Sequence, residues 1–404
     1  MTNLTSAIIS RPSLSVALAM LKTVTTKRAH LPILESAKLA TDADGLYARA
    51  TDLDLQATIR LDGSADTGFA AMLPVHQAHE VERKAPGGDL VTLDFTDDTS
   101  LQSDTDENGK TKHTRTGTAT TRLDYEGLRI NMQSASPADF PELAIDGQIN
   151  ADFTIPSADL LAALEAVAFA ISTEETRYYL NGVFVHVFED RRTGARTLRF
   201  VATDGHRMAV HDMPAPEGCG EPGAWGSIIP RATVAFLIRV AKAKGAGETC
   251  RVLVNCSKVR FTLGRVDVLS KLIDGTYPDY VRVWPAGNSK IMTADRREVI
   301  RAIEAVATIC DDRGRAAKWQ ASPNGLTLSV RNPDIGDASM TVPCRLDSVR
   351  GNVEAGFNSR YALDVLKAMG GDEVEVAFED SGSPTIFLDP ANRSTTYVLM
   401  PMRV

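Results

Sequence analysis

Nowhere in the 404 residues do about 18 apolar residues run together, so no membrane-spanning helix is expected. The first residues also lack a basic segment followed by a long apolar one, and no secretory signal is expected. Cysteine is sparse: Cys219, Cys250, Cys256, Cys310 and Cys344 are odd in number and show no CxxC spacing. They read as free thiols in a reducing cytoplasm. Positive charge is short as well, with 44 Lys and Arg against 52 Asp and Glu and a net charge of −8. That balance argues against a protein that coats nucleic acid tightly. It leaves room for one that surrounds nucleic acid loosely, provided the positive charge is segregated.

Signatures of catalysis are missing too. The chain has no P-loop, no GxSxG and no paired-carboxylate motif. His30, His76, His79, His113, His186 and His211 form no HxxxH or HxH cluster with the cysteines, so neither a metal nor another cofactor is expected. Asp204 and His206 are two apart, a spacing that suits an acid–base pair on a strand, but around a glycine such side chains usually diverge. Asp204-Gly205 reads as a tight turn with Gly205 at positive φ. A hydrolase built on His206 lacks supporting residues, and the chain reads as non-catalytic.

What is present is an ordinary globular composition, 43% apolar and 24% charged, long enough for two or three domains. It is also repetitive. Gly45-Leu-Tyr-Ala-Arg-Ala-Thr-Asp52 aligns with Thr197-Leu-Arg-Phe-Val-Ala-Thr-Asp204, and more weakly with Gly325-Leu-Thr-Leu-Ser-Val-Arg-Asn332. Two helices frame each copy. The first helices begin near Pro12, Pro156 and Asp295, with apolar residues at helical spacing such as Leu14, Leu18 and Leu21. Pro12 and Pro156 suit a first-turn position, where the missing N–H costs nothing. The second helices start near Pro74, Pro230 and Asn358, and Gly245 and Gly370 are expected to stop the last two in a left-handed conformation. Alternating β-rich runs lie between, so each copy is two helices plus about eight short strands. Helices on one face of antiparallel sheet make an α+β fold.

Residues 97–122 break the pattern. They are rich in Asp, Thr, Ser, Gly and Lys, nearly devoid of large apolar residues, and read as a flexible surface insertion too polar for a core.

Four segments, in order, identify a resemblance. They are Arg177-Tyr-Tyr-Leu-Asn-Gly182, Thr203-Asp-Gly-His-Arg-Met-Ala209, Asp274-Gly-Thr-Tyr-Pro-Asp-Tyr280 and Tyr397-Val-Leu-Met-Pro-Met-Arg-Val404. Together they resemble the bacterial sliding-clamp family, the β subunit of DNA polymerase III, over nearly the whole chain. The resemblance implies three clamp domains, at 1–148, 149–288 and 289–404, and a head-to-tail homodimer closing a six-domain ring around double-stranded DNA. It also implies an apolar peptide pocket from Leu180, Thr203, Gly205, His206, Arg207 and Met208. Pro278, Arg282 and Val283 of the linker join it, with Val398, Leu399, Met400, Pro401 and Met402 of the C-terminus. Val398, Met400 and Met402 are expected on one strand face. The partners implied are the DNA polymerase III α subunit, the clamp loader, and other polymerases and repair proteins carrying a short clamp-binding motif. The chain departs from the family at Asp124-Tyr-Glu-Gly-Leu-Arg-Ile-Asn-Met132, where a basic strand is usual, and at Glu174, where relatives carry an amide. An accessory clamp that keeps the pocket without a closed ring is the runner-up.

The charge distribution agrees with encirclement. Segments 11–28 and 230–244 each carry +4, and the six helical segments together carry +6, which leaves −14 elsewhere in a chain of −8. In the family these helices line the central hole, and Lys and Arg there meet phosphates without reading bases. The candidates are Arg11, Lys22, Lys27, Arg28, Arg231, Arg239, Lys242 and Lys244. Ile130 and Met132 are the expected dimer contacts of one domain, Thr308 and Ile309 those of another.

Overall fold

The computed structural model describes residues 3–105, 111–190, 193–243, 247–285, 287–310, 315–347 and 351–404. Among the described residues, six α-helices punctuate antiparallel strands: α1 (Arg11–Leu21), α2 (Val75–Lys84), α3 (Ser157–Ala168), α4 (Arg231–Lys242), α5 (Arg296–Val306) and α6 (Ser359–Ala368). The expected α+β class is the observed one. α1 buries Leu14, Ala17, Leu18 and Leu21, and α5 buries Val299, Ala302, Ile303 and Val306, each along one stripe. Side chains cap the third pair of helices. Asp295 accepts from the Glu298 N–H, and Asn358 from those of Arg360 and Tyr361, which satisfies donors a helix start leaves orphaned.

The chain divides into two compact units. The unit of residues 1–157 and 236–271 holds a five-stranded and an eight-stranded sheet. The larger sheet takes strands from both the first and second repeats, joined where Val266–Lys271 pairs with Leu55–Arg60. The smaller runs in the order Leu128–Ser134, Ala119–Tyr125, Leu90–Asp97, Asn3–Ser10, Gly63–Ala65. In the unit of residues 158–235 and 272–404, a nine-stranded sheet joins the second and third repeats through Arg207–Pro214 and Asn392–Leu399, with Met208 opposite Val398. A four-stranded sheet completes it.

Each aligned repeat segment is a strand: Gly45–Thr51, Arg196–Thr203 and Gly325–Asn332. The first two end in the same turn. Thr51 and Thr203 donate through Oγ1 to the carbonyls of Leu55 and Arg207, while Asp52 and Asp204 each accept two backbone N–H groups. The residue after the aspartate has positive φ in both, 81° at Leu53 and 90° at Gly205.

Three local expectations fail. Pro156 closes the strand Ile149–Pro156, and α3 starts at Ser157. α6 ends without a left-handed residue: Met369 is already extended, at φ −81° and ψ 144°, and turns the chain toward the strand Glu373–Phe378. Gly245 lies outside the described residues. Finally, the described residues of the 97–122 segment are largely strand, where a flexible surface insertion is expected. Ser100–Thr105 pairs with Thr111–Thr116, and Ala119–Tyr125 is an interior strand of the five-stranded sheet that buries Ala119 and Thr121. Polarity kept such residues out of a core estimate, yet a hairpin ladder needs only backbone partners and β-branched threonines.

Candidate peptide-docking site

The turn after the strand Arg196–Thr203 is built by its own side chains. Asp204 Oδ1 accepts from the N–H groups of His206 (2.9 Å) and Arg207 (3.0 Å), and Thr203 Oγ1 donates to the Arg207 carbonyl at 2.7 Å. Gly205 suits this position because its φ is positive, although the first repeat accommodates Leu53 there; a Cβ at 205 would displace the flexible end of Arg177, whose Nη1 would lie 2.6 Å away. Arg207 then locks the turn in place. Its guanidinium bonds Asp204 Oδ2 (3.0 Å), Asp364 Oδ2 of α6 (2.6 Å) and the Phe169 carbonyl (2.8 Å). It also lies 4.5 Å from the Tyr361 ring centroid and 5.1 Å from that of Phe169. Every donor edge is thereby directed, so Arg207 shapes the site through rigidity.

Beside this turn opens a cavity of about 280 Å³. Leu180, Met208 and Val398 form its buried floor, all within a core cluster that includes Val201, Val210, Ile228, Tyr277 and Tyr280. Thr203, Gly205, Arg207, Pro278, Val283 and Met400 also line it. Val283 and Met400 are partly open to solvent at 47% and 38% exposure, apolar surface that a ligand would cover. The arrangement suits one or two large apolar side chains entering beside directed backbone and hydroxyl groups.

Five of the sequence-derived residues stand off the cavity. His206 is exposed, stacks on Tyr361 at 5.9 Å, and accepts the Met400 N–H through its carbonyl at 2.9 Å. Arg282 points to solvent, held by Asp279 at 2.9 Å. Leu399 is fully buried on the reverse side of its strand. Pro401 and Met402 are half-buried, and the Met402 N–H donates to the Gly356 carbonyl at 2.9 Å. The period-two expectation for Val398, Met400 and Met402 therefore fails, because the strand stops at Leu399 and Pro401 has no N–H to extend a ladder. Conversely, Arg177, Tyr179, Asp279 and Tyr280 line the cavity and were not assigned to it. Their signal was in view, since all four sit in the motif segments, but nothing in the spacing told inward from outward side chains.

The basic candidates separate. Arg11 is engaged internally: Nε meets Glu82 at 2.8 Å, and Nη2 donates to the carbonyls of Glu82 and Ala85, tying α1 to α2. Glu82 is itself buried and accepts from the Tyr125 hydroxyl at 2.9 Å. Lys22 Nζ lies 3.4 Å from His79 Nδ1, and burial together with that ammonium holds the imidazole below its ordinary pKa. Lys27 and Arg28 are exposed beyond α1, and Arg231, Arg239 and Lys242 are exposed on α4. Lys244 lies outside the described residues. Glu174, the family departure, pairs with Arg177 at 2.7 Å. Ile130 and Met132 are half-buried on the free edge strand of the five-stranded sheet. Thr308 and Ile309 sit in the 3₁₀ turn after α5, with Ile309 half-buried and Thr308 exposed.

Comparison with known proteins extends these likenesses over the whole chain. Residues 154–279 match the family model of the DNA polymerase III beta subunit central domain, and 281–403 that of its C-terminal domain. The beta sliding clamp of Caulobacter vibrioides is 38% identical over 398 residues, covering 98% of this chain and 99% of the relative. That of Escherichia coli is 30% identical over 379 residues, covering 93% and 94%. A solved beta sliding clamp from Caulobacter crescentus superposes with a TM-score of 0.86 at 36% identity, and the clamp from Bartonella birtlesii bound to griselimycin with 0.86 at 33%, each covering both chains fully. This chain belongs to the bacterial β sliding clamp family, the β subunit of DNA polymerase III.

Proposed function

We propose that two copies of this chain close head to tail around duplex DNA and tether replication proteins to it, as a non-catalytic processivity factor in the cytoplasm. Three domains, 1–148, 149–288 and 289–404, form each half of the ring. The observation that carries the tethering is the cavity floored by Leu180, Met208 and Val398. Its occupants are short motifs with one glutamine and two or three large apolar residues, from the polymerase III α subunit, the clamp loader, other polymerases and repair proteins. Burying two such side chains is worth roughly 1.5–3 kcal/mol each, or about 3–6 kcal/mol before ordering costs, so the apolar contacts by themselves give binding weaker than micromolar. Exchangeable docking of that strength suits a platform that many partners share. The free edge at Leu128–Ser134 supports ring closure, because a second copy would remove an open strand edge and cover Ile130 and Met132.

Light scattering is expected to give twice the chain mass of 43.6 kDa, and a clean monomer at micromolar concentration would exclude the ring. Loaded on a nicked circle, the protein should remain until the circle is cut, while its hold on short linear duplex stays weak and falls with salt. While retention on the circle persists, charge reversal at Lys27, Arg28, Arg239 and Lys242 should weaken the hold on linear duplex further. Arg11→Ala should not, since Arg11 is spent on Glu82; it should instead lower the denaturant midpoint.

A further inference from the structure

One wall of the cavity, residues 277–283, is tied to the nine-stranded sheet by two rings. The backbone hydrogen bonds found here among the described residues stay local, Arg282 N–H to Asp279 O and Trp284 N–H to Val281 O. Tyr277 lies parallel on Phe184, 4.8 Å between centroids at 6°, and Phe184 stacks in turn on His186 at 4.8 Å. Tyr280 is buried, and its Oη sits 2.9 Å from His186 Nε2 and 3.4 Å from Arg199 Nη1. Neither His186 nor Arg199 lines the cavity.

The donors assign themselves. Arg199 is fixed by two bonds to Asp212, at 2.7 and 2.6 Å, and by the Phe188 ring 3.5 Å away. The Val187 carbonyl, 3.1 Å from His186 Nδ1, only accepts, so the neutral imidazole carries its proton on Nδ1. Nε2 is then the acceptor, and the Tyr280 hydroxyl donates to it while accepting from Arg199. A proton on Nε2 would place two donors on one hydroxyl and a second cation beside Arg199.

We propose that His186 and Arg199 are positioning residues for peptide docking, fixing Tyr280 through its hydroxyl, so that docking weakens when His186 takes a proton. The proposal rests on the docking reading above. The charged and titratable groups facing His186 are Arg199 on the adjacent strand, Asp212 on the strand beyond it, and Tyr280 of the linker. Burial, helped more weakly by Arg199, holds its pKa below the ordinary imidazole value, against opposing pulls from the Val187 carbonyl and, more weakly still, Asp212. The lowered direction sets the sign: His186 is neutral and supports the wall at neutral pH, and it fails as pH falls through a folded-state pKa that lies below the ordinary imidazole value.

The test uses the full-length protein and a fluorescent synthetic peptide carrying a glutamine and three large apolar residues, with anisotropy read from pH 4.5 to 7.5. Wild type should lose at least about threefold in affinity across that range. H186Q keeps an acceptor without titrating, and should bind as wild type at pH 7.5 with no pH slope. Y280F keeps the ring, and should bind about fivefold more weakly at pH 7.5, also without slope, while dimer mass is unchanged. A wild-type protein that binds with no pH slope overturns this inference and leaves docking intact. So does a slope that survives in H186Q, or a Y280F affinity equal to wild type. No peptide binding at pH 7.5 overturns the docking reading itself, and this inference with it.

Discussion

Arg207→Ala should lower the unfolding free energy by roughly 3 kcal/mol and remove peptide binding beyond detection. The arginine side chain is only 10% exposed, and its loss strands Asp204 at 16% and Asp364 at 34% exposure. Breaking a buried pair costs more than the pair contributes, because a desolvated carboxylate is left behind. The figure is held to the low end by the third of Asp364 that water already reaches. Two rings also lose their shared cation, and the turn holding Thr203 and Met208 loses its strut. Denaturant unfolding and peptide anisotropy on the same sample check both halves. A variant that unfolds earlier but binds the peptide normally would separate the arginine from the site.

Deleting residues 400–404 should weaken the same peptide at least about tenfold, or roughly 1.4 kcal/mol, while the dimer persists. Terminal residues usually fray and are dispensable. These are not free: Met400 lines the cavity and donates to His206, and the tail is pinned where Met402 bonds Gly356. Met400→Ala and Met208→Ala should each weaken the peptide in the same direction, since a truncated thioether leaves the wall or the floor short of contact. Equal binding by the truncated and intact dimers would remove the tail from the site.

Much of this was readable in the chain because the repeat writes its own hydrogen bonds. Thr-Asp at 51–52 and at 203–204 dictates one turn twice, and helical stripes such as Leu14, Leu18 and Leu21 mark their helices. The reading failed where a residue's fate depended on distant neighbours. Arg11 looked like a phosphate ligand until Glu82, 71 residues away, took it. Met402 looked like a strand-face neighbour of Met400 until Pro401 and Gly356 redirected the tail. Residues 97–122 read as a flexible surface insertion although Ser100–Thr105 pairs with Thr111–Thr116, because composition measures what a core accepts and is silent on what a ladder accepts.

The pairing of Arg207–Pro214 with Asn392–Leu399 also governs how the chain can be divided. The two family segments meet near residue 280, an obvious place to cut an expression fragment. A fragment ending there would keep Leu180 and Met208 but lose Val398 and Met400, together with the strand that covers its edge. It would present bare backbone and an open apolar face, and is expected to self-associate. Library fragments of this protein would therefore under-report its partners, because the docking surface comes into being only when both halves are made as one polypeptide.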